Sequence, residues 1–114
     1  MTLKLKKSDS TPTEVVTNIY IGSIGAAYNR DSLEALGITH VLVCADSIAP
    51  IFPSVFNHRV LPLKDTHQQD LAPHLDSAHE FIDEAISQGS GVLVHCFKGQ
   101  SRSAAIIASY LIKQ

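Results

Sequence analysis

Apolar positions fall along the chain in short runs whose spacing changes from place to place. Residues 14 to 22, Glu-Val-Val-Thr-Asn-Ile-Tyr-Ile-Gly, are rich in β-branched and aromatic side chains, and Asn18 predicts a turn between two short strands. Ser23 to Ala27 reads as a loop. A short helix is expected over Ser32 to Leu36, capped by Asp31 or the residue before it and stopped by Gly37. His40 to Cys44, His-Val-Leu-Val-Cys, is the kind of apolar run that fills a strand buried on both faces. Pro50 and Pro53 mark the next loop, and His58 to Leu63 is a further strand, ended by Pro62.

Beyond the polar stretch Asp65 to Asp70, the period becomes helical. Leu71, Leu75, Ala78, Ile82, Ala85 and Ile86 share one face of a helix expected between Asp70 and Gln88, with Gly89 just past its end. Gly91 to His95 is another buried strand, and Arg102 to Lys113 another helix. Strands alternating with helices predict an α/β fold: a mostly parallel central sheet flanked by helices. The pattern contains no repeat, no low-complexity tract and no linker, so 14–114 reads as one domain behind a flexible lead-in, 1–13.

Composition narrows the class. The chain has 114 residues, 45% of them apolar and 18% charged, which suits one globular domain and disfavours disorder. Nine Lys and Arg against eleven Asp and Glu leave a formal charge of −2, so no nucleic-acid partner is expected, although a local cationic site is compatible with it. Apolar runs such as Ile48 to Phe56 and Ala104 to Tyr110 are too short and interrupted to span a bilayer, so no membrane partner is expected. Lys4, Lys6 and Lys7 are not followed by the apolar run of a signal peptide. Two cysteines, Cys44 and Cys96, are too few for a disulfide scaffold and fit a reducing compartment, the cytoplasm with the nucleus as the alternative.

The chemistry is concentrated in Val92-Leu-Val-His-Cys-Phe-Lys-Gly-Gln-Ser-Arg-Ser103. An apolar strand ends at His95, Cys96 stands where strand becomes loop, and Arg102 opens a helix. Such a loop turns successive backbone N–H groups, here those of Phe97, Lys98, Gly99, Gln100, Ser101 and Arg102, into one concavity of phosphate size. Arg102 adds a planar fork that binds two phosphate oxygens at once, and Gly99 permits the positive φ that a tight cradle uses. A thiol at a helix N-terminus beside an arginine loses its proton readily, so Cys96 is expected to act as a thiolate nucleophile. His95 could orient the loop, and the Ser103 hydroxyl could donate to the sulfur when it leaves.

These residues resemble the Cys-x5-Arg signature of the protein tyrosine phosphatase superfamily, in the His-Cys-x-x-Gly-x-Ser-Arg-Ser form of the dual-specificity phosphatases. Asn18-Ile-Tyr-Ile-Gly-Ser, Leu36-Gly-Ile-Thr-His-Val-Leu-Val and Val60-Leu-Pro-Leu-Lys-Asp resemble the same family upstream, so the likeness runs from about Val15 to the end. It implies a three-layer α/β/α fold of the cysteine phosphatase II type. It also implies hydrolysis of phosphomonoesters through a phosphocysteine, with phosphorylated proteins as substrates and no metal or other cofactor. The family's acid is an Asp on a loop about thirty residues before the nucleophile, which favours Asp65; Asp70 sits where it would cap the following helix.

Several alternatives stay open at this level. Relatives with this signature also act on phosphoinositides, RNA 5′ ends or glycans, usually with a more basic loop than one carrying Lys98 alone. A catalytically weak or inactive phosphate-binding module is the competing class. Cys44 reads first as a core residue, and second as a redox partner for Cys96, as in some relatives. His40, His58, His67, His74 and His79 lack metal-ligand spacing and read as surface or packing residues. Family domains usually continue past the helix after the signature, whereas this sequence ends within it, so the C-terminal helices are expected to be missing. Ile106, Ile107, Tyr110 and Leu111 would then leave apolar surface for a homo-oligomer or domain exchange.

Overall fold

A computed structural model describes residues 11–64, 69–96 and 101–113. Strand β1 (Thr13–Val16) turns back at Asn18, whose φ of 69° lies in the left-handed region that asparagine tolerates, into β2 (Ile19–Gly22). Two short helices follow, α1 (Ile24–Ala27) and α2 (Arg30–Ala35), and then strands β3 (Ile38–Val43) and β4 (Asn57–Val60). The long helix α3 (Ala72–Ser87), strand β5 (Gly91–His95) and helix α4 (Ser101–Lys113) complete the order.

The five strands form one sheet in the order β1-β2-β5-β3-β4. Only β1 pairs antiparallel; β2 with β5, β5 with β3, and β3 with β4 all run parallel. The central position of β5 explains its composition, since a strand with parallel neighbours on both sides and helices on both faces needs apolar residues throughout. All five of its residues are buried.

Alternation along the strands divides the core into two layers. Leu42, Cys44, Val92, Val94 and Cys96 pack with Phe81 and Ile82 of α3 and with Ile106, Ile107 and Tyr110 of α4. Val41, Val43 and Leu93 pack on the opposite face with Ala27 of α1 and Leu33 of α2. The result is the mostly parallel sheet that the element pattern predicts, in the three-layer α/β/α arrangement that the family resemblance implies.

Several local expectations are corrected. Ser23 to Ala27 is not all loop: Ile24–Ala27 forms one helical turn, too short to reveal a 3.6-residue period, and buries Ala26 and Ala27. Helix α2 starts earlier than expected, because Asn29 rather than Asp31 is its cap and accepts the Ser32 N–H at 3.2 Å. Its end is as read, with Gly37 at a φ of 74°, and Gly89 performs the same stop after α3 at 70°. Strand β4 is shorter than His58 to Leu63, because Pro62 cannot donate to a ladder and Leu61 and Leu63 turn inward beyond it. In α4, Ile106, Ile107 and Tyr110 are buried within this chain, and some apolar surface stays exposed as expected, at Leu111 and at Ile112, the latter 84% exposed.

Candidate active site

The parallel register brings the carboxyl ends of β2, β3 and β5 to one edge of the sheet. Val43 pairs with His95, so the two residues that follow, Cys44 and Cys96, stand side by side on adjacent strands. The Cys44 N–H donates to the His95 carbonyl at 2.8 Å and closes the gap between the two strand ends. Both cysteines are free and buried.

Five residues after Cys96, α4 begins at Ser101, with Arg102 half-buried and Ser103 fully buried in its first turn. No acidic residue occupies that turn, so nothing there offsets the partial positive charge of a helix N-terminus. The Ser103 Oγ has no hydrogen-bond partner among the described residues, which is costly for a buried hydroxyl unless the site supplies one. Phe97, Lys98, Gly99 and Gln100 lie outside the described residues, as do the side chain of Ser101 and the expected acid Asp65.

Two titratable groups record the electrostatics of this edge. Burial holds the Cys44 thiol protonated, its pKa pushed up to about 12; the neighbouring Cys96 charge acts in the same direction and Arg102 against it. Cys44 thus senses both members of the signature. Burial also drives the His95 imidazole down to about 4, helped by His58 and partly opposed by the Cys96 backbone, so His95 is neutral at pH 7. Its Nδ1 has no partner among the described residues.

The remaining candidates fall elsewhere. Asp70 lies just before α3, whose cap position is Leu71, and its Oδ1 accepts the Ala72 N–H at 3.0 Å. His40 is fully buried on β3, with Nε2 2.8 Å from Glu84 Oε2 of α3 and Nδ1 2.7 Å from Thr39 Oγ1. His79 joins α3 to α4 through Ser109 Oγ at 2.9 Å. His58 is hydrogen-bonded to the Phe56 carbonyl at 3.0 Å. Among the described residues, no three His, Cys, Asp or Glu side chains gather as a metal site.

One feature of this edge is invisible in the sequence pattern. A cavity of about 380 Å³ opens between α1 and the loop after β3, lined in part by Ile24, Tyr28, Ile48 and Ile51. Its walls come from segments far apart in the chain, and only the order of the sheet brings them together.

A buried cysteine closing the central parallel strand, with an arginine six positions later in the first turn of a helix, defines a cysteine-phosphatase scaffold. Residues 19–114 match the dual specificity phosphatase catalytic domain, and the chain belongs to that family. It is 41% identical over 111 residues to Dual specificity protein phosphatase 1B of Arabidopsis thaliana, covering 97% of this chain and 66% of that protein. It is 39% identical over 108 residues to Dual specificity protein phosphatase 1 of the same plant, covering 95% of this chain and 54% of that one. The chain therefore spans between about half and two thirds of the length of these relatives. Among solved structures, the human tyrosine phosphatase-like serine/threonine/tyrosine-interacting protein superposes with a TM-score of 0.83 at 29% identity, over 90% of this chain and 73% of that one.

Proposed function

We propose that this chain is the catalytic portion of a dual-specificity protein phosphatase that hydrolyses phosphotyrosine and phosphoserine or phosphothreonine through a phosphocysteine. The observation that carries the reading is Cys96 at the carboxyl end of the central strand, buried, with Arg102 in the first turn of the helix that follows. In the first step the Cys96 sulfur attacks phosphorus and a new S–P bond forms as the P–O bond to the leaving group breaks. Asp65 gives its proton to the departing oxygen. In the second step the Asp65 carboxylate takes a proton from water, the water oxygen attacks phosphorus, and the S–P bond breaks to release phosphate.

Backbone amides of Phe97 to Arg102 and the Arg102 guanidinium would hold the three equatorial oxygens, more tightly as charge spreads over them in the transition state. The buried Ser103 hydroxyl, unpartnered among the described residues, can donate to the sulfur as it leaves. A neutral, buried His95 is suited to orienting the loop by packing and hydrogen bonding and not to proton transfer at neutral pH. Because the nucleophile works only as a reduced thiol, we place the protein in a reducing compartment, the cytoplasm or nucleus.

Purified protein assayed with an aryl phosphate and a panel of phosphopeptides, phosphoinositides and RNA 5′ phosphates tests the reading. Turnover is expected on the aryl phosphate and on peptides carrying either type of phosphoresidue, inhibited by vanadate and abolished in Cys96→Ser. Binding of phosphopeptides without turnover would instead make the chain an interaction module.

A second reading concerns Cys44, next to Cys96 across the β3–β5 ladder. Peroxide would convert the Cys96 thiolate to a sulfenic acid, and the Cys44 sulfur would displace its hydroxyl as water to form a disulfide. Burial that keeps Cys44 protonated makes this second step slow. Mild peroxide should lower the mass by two hydrogens in the wild type and not in Cys44→Ser. Progressive irreversible oxidation of Cys96 with Cys44 intact would overturn it.

A further inference from the structure

Two segments leave the carboxyl edge of the sheet on either side of β5. On one side Gly22 pairs with His95, and α1 starts two residues later at Ile24. On the other side the Cys44 N–H donates to the His95 carbonyl, and Ser47 follows three residues on. The cavity of about 380 Å³ lies between them, walled by Ile24, Tyr28, Ser47, Ile48, Ala49 and Ile51. Among the described residues, no charged side chain lines it.

Its walls are built before any ligand arrives. Ile48 is buried, and Ile24 and Ile51 pack on the core layer of Val41, Val43 and Leu93. The loop is pinned at its start by the Asp46 N–H, which donates to the Leu63 carbonyl at 2.9 Å. It is pinned at its end by the Phe52 carbonyl, which accepts the Val55 and Phe56 N–H groups at 3.0 and 3.2 Å. Phe52 has a φ of 60°, a left-handed conformation that a bulky residue keeps only where its surroundings hold it. Tyr28 lines the same recess while remaining 60% exposed.

We propose that this cavity is a substrate subsite that takes one large apolar side chain, aromatic or aliphatic, of the phosphoprotein, close in sequence to the phosphoresidue. The proposal rests on the reading of the chain as a protein phosphatase. Position selects the occupant: adjacent strands lie about 4.8 Å apart and three residues span at most about 10 Å, so Ser47 lies within about 15 Å of Cys96. A peptide held by its phosphate at Cys96 and extended at about 3.3 Å per residue covers that distance in about five residues. The volume is near the lower end of ligand sites, enough for one large side chain and too little for a partner's helix. An acidic side chain would lose its water there and find no cation in return.

The test walks one Phe through about five positions on either side of a phosphotyrosine in a peptide otherwise made of Ala and Gly. On the wild-type chain one position should raise kcat/KM about tenfold over Ala, through KM with kcat unchanged. Asp at that position should fall below Ala. Tyr28→Ala takes away a wall, and Ala49→Trp, at another exposed lining residue, fills the recess. Each should reduce the Phe preference to within about twofold of Ala and leave para-nitrophenyl phosphate turnover within about twofold of the wild type. Binding of the same labelled peptides to Cys96→Ser, read by fluorescence anisotropy, should favour the same position and lose that preference in both variants. Binding is independent of turnover: if no peptide is hydrolysed, the protein phosphatase reading fails, and the anisotropy profile still decides the subsite. A flat profile, a preference for Asp, or a Phe preference intact in both variants overturns the subsite while leaving the phosphatase reading in place. Faster turnover of long-chain than of short-chain phosphoinositides, abolished by both variants, would assign the cavity to an acyl chain and overturn it as well.

Discussion

Strands β3 and β5 lie side by side, run parallel, carry buried apolar residues and end in neighbouring buried cysteines. Up to that point they are near copies. Beyond it β3 leads into a loop that reaches β4 with no helix between, whereas on the β5 side Cys96 is followed five residues later by the N-terminus of α4, with Arg102 in its first turn. Burial is the main influence on Cys44 and, with the neighbouring Cys96, pushes its pKa up to about 12 against the pull of Arg102. What sets Cys96 apart is the helix terminus and guanidinium that follow it. Strand burial supplies rigidity, and the segment after the strand supplies chemistry.

The strongest way to break this contrast is to weaken the β5 exit without unfolding it. Arg102→Lys keeps the charge and loses the planar fork, so kcat/KM should fall about a thousandfold, roughly 4 kcal/mol, with the melting temperature little changed. A loss of only a few-fold in steady-state assays would mean that charge alone suffices.

Next in size is the acid stability of β5. The folded state holds His95 near 4, below its ordinary value of 6.5, so it resists a proton that the unfolded chain accepts. Stability should therefore be full above pH 6.5 and decline toward pH 4, by on the order of 3 kcal/mol in urea titrations. His58 and His79 are also held low by burial and tilt the same way, so the comparison is with His95→Gln. That variant should be less stable throughout and lose most of the slope; an unaltered slope would remove His95 from the account.

Smaller effects belong to β3. Glu84→Ala takes away the partner of the buried His40 imidazole and should cost about 1–2 kcal/mol in denaturant unfolding, with catalytic constants unchanged. Cys44→Ala should cost about 1 kcal/mol and keep turnover within about twofold, whereas a large loss of turnover would show that the two strand ends are not separable.

Much of this was legible from residue order. Long or strongly patterned segments declared themselves: α3 through its apolar face and β5 through its continuous apolar run, because burial on one stripe or on two faces leaves a readable period. The α1 turn was missed because four residues carry no period. The α2 cap went to Asn29 over Asp31 because side chains of that class compete for the same N–H groups and backbone geometry decides among them. His40 reads as a generic packing residue, and its pairing with Glu84 depends on α3 crossing β3, which no local spacing encodes.

The amino-acid order by itself determined the α/β class, the extent of the main elements and the Cys96–Arg102 signature, because these depend on neighbours close in the chain. Only the tertiary arrangement decided that β5 lies between β2 and β3, that Cys44 stands against Cys96, and that α1 and the loop after β3 enclose a cavity at the same edge. Those relations depend on strand order and on hydrogen bonds closed across folded segments, and their geometry exists only once the sheet has assembled.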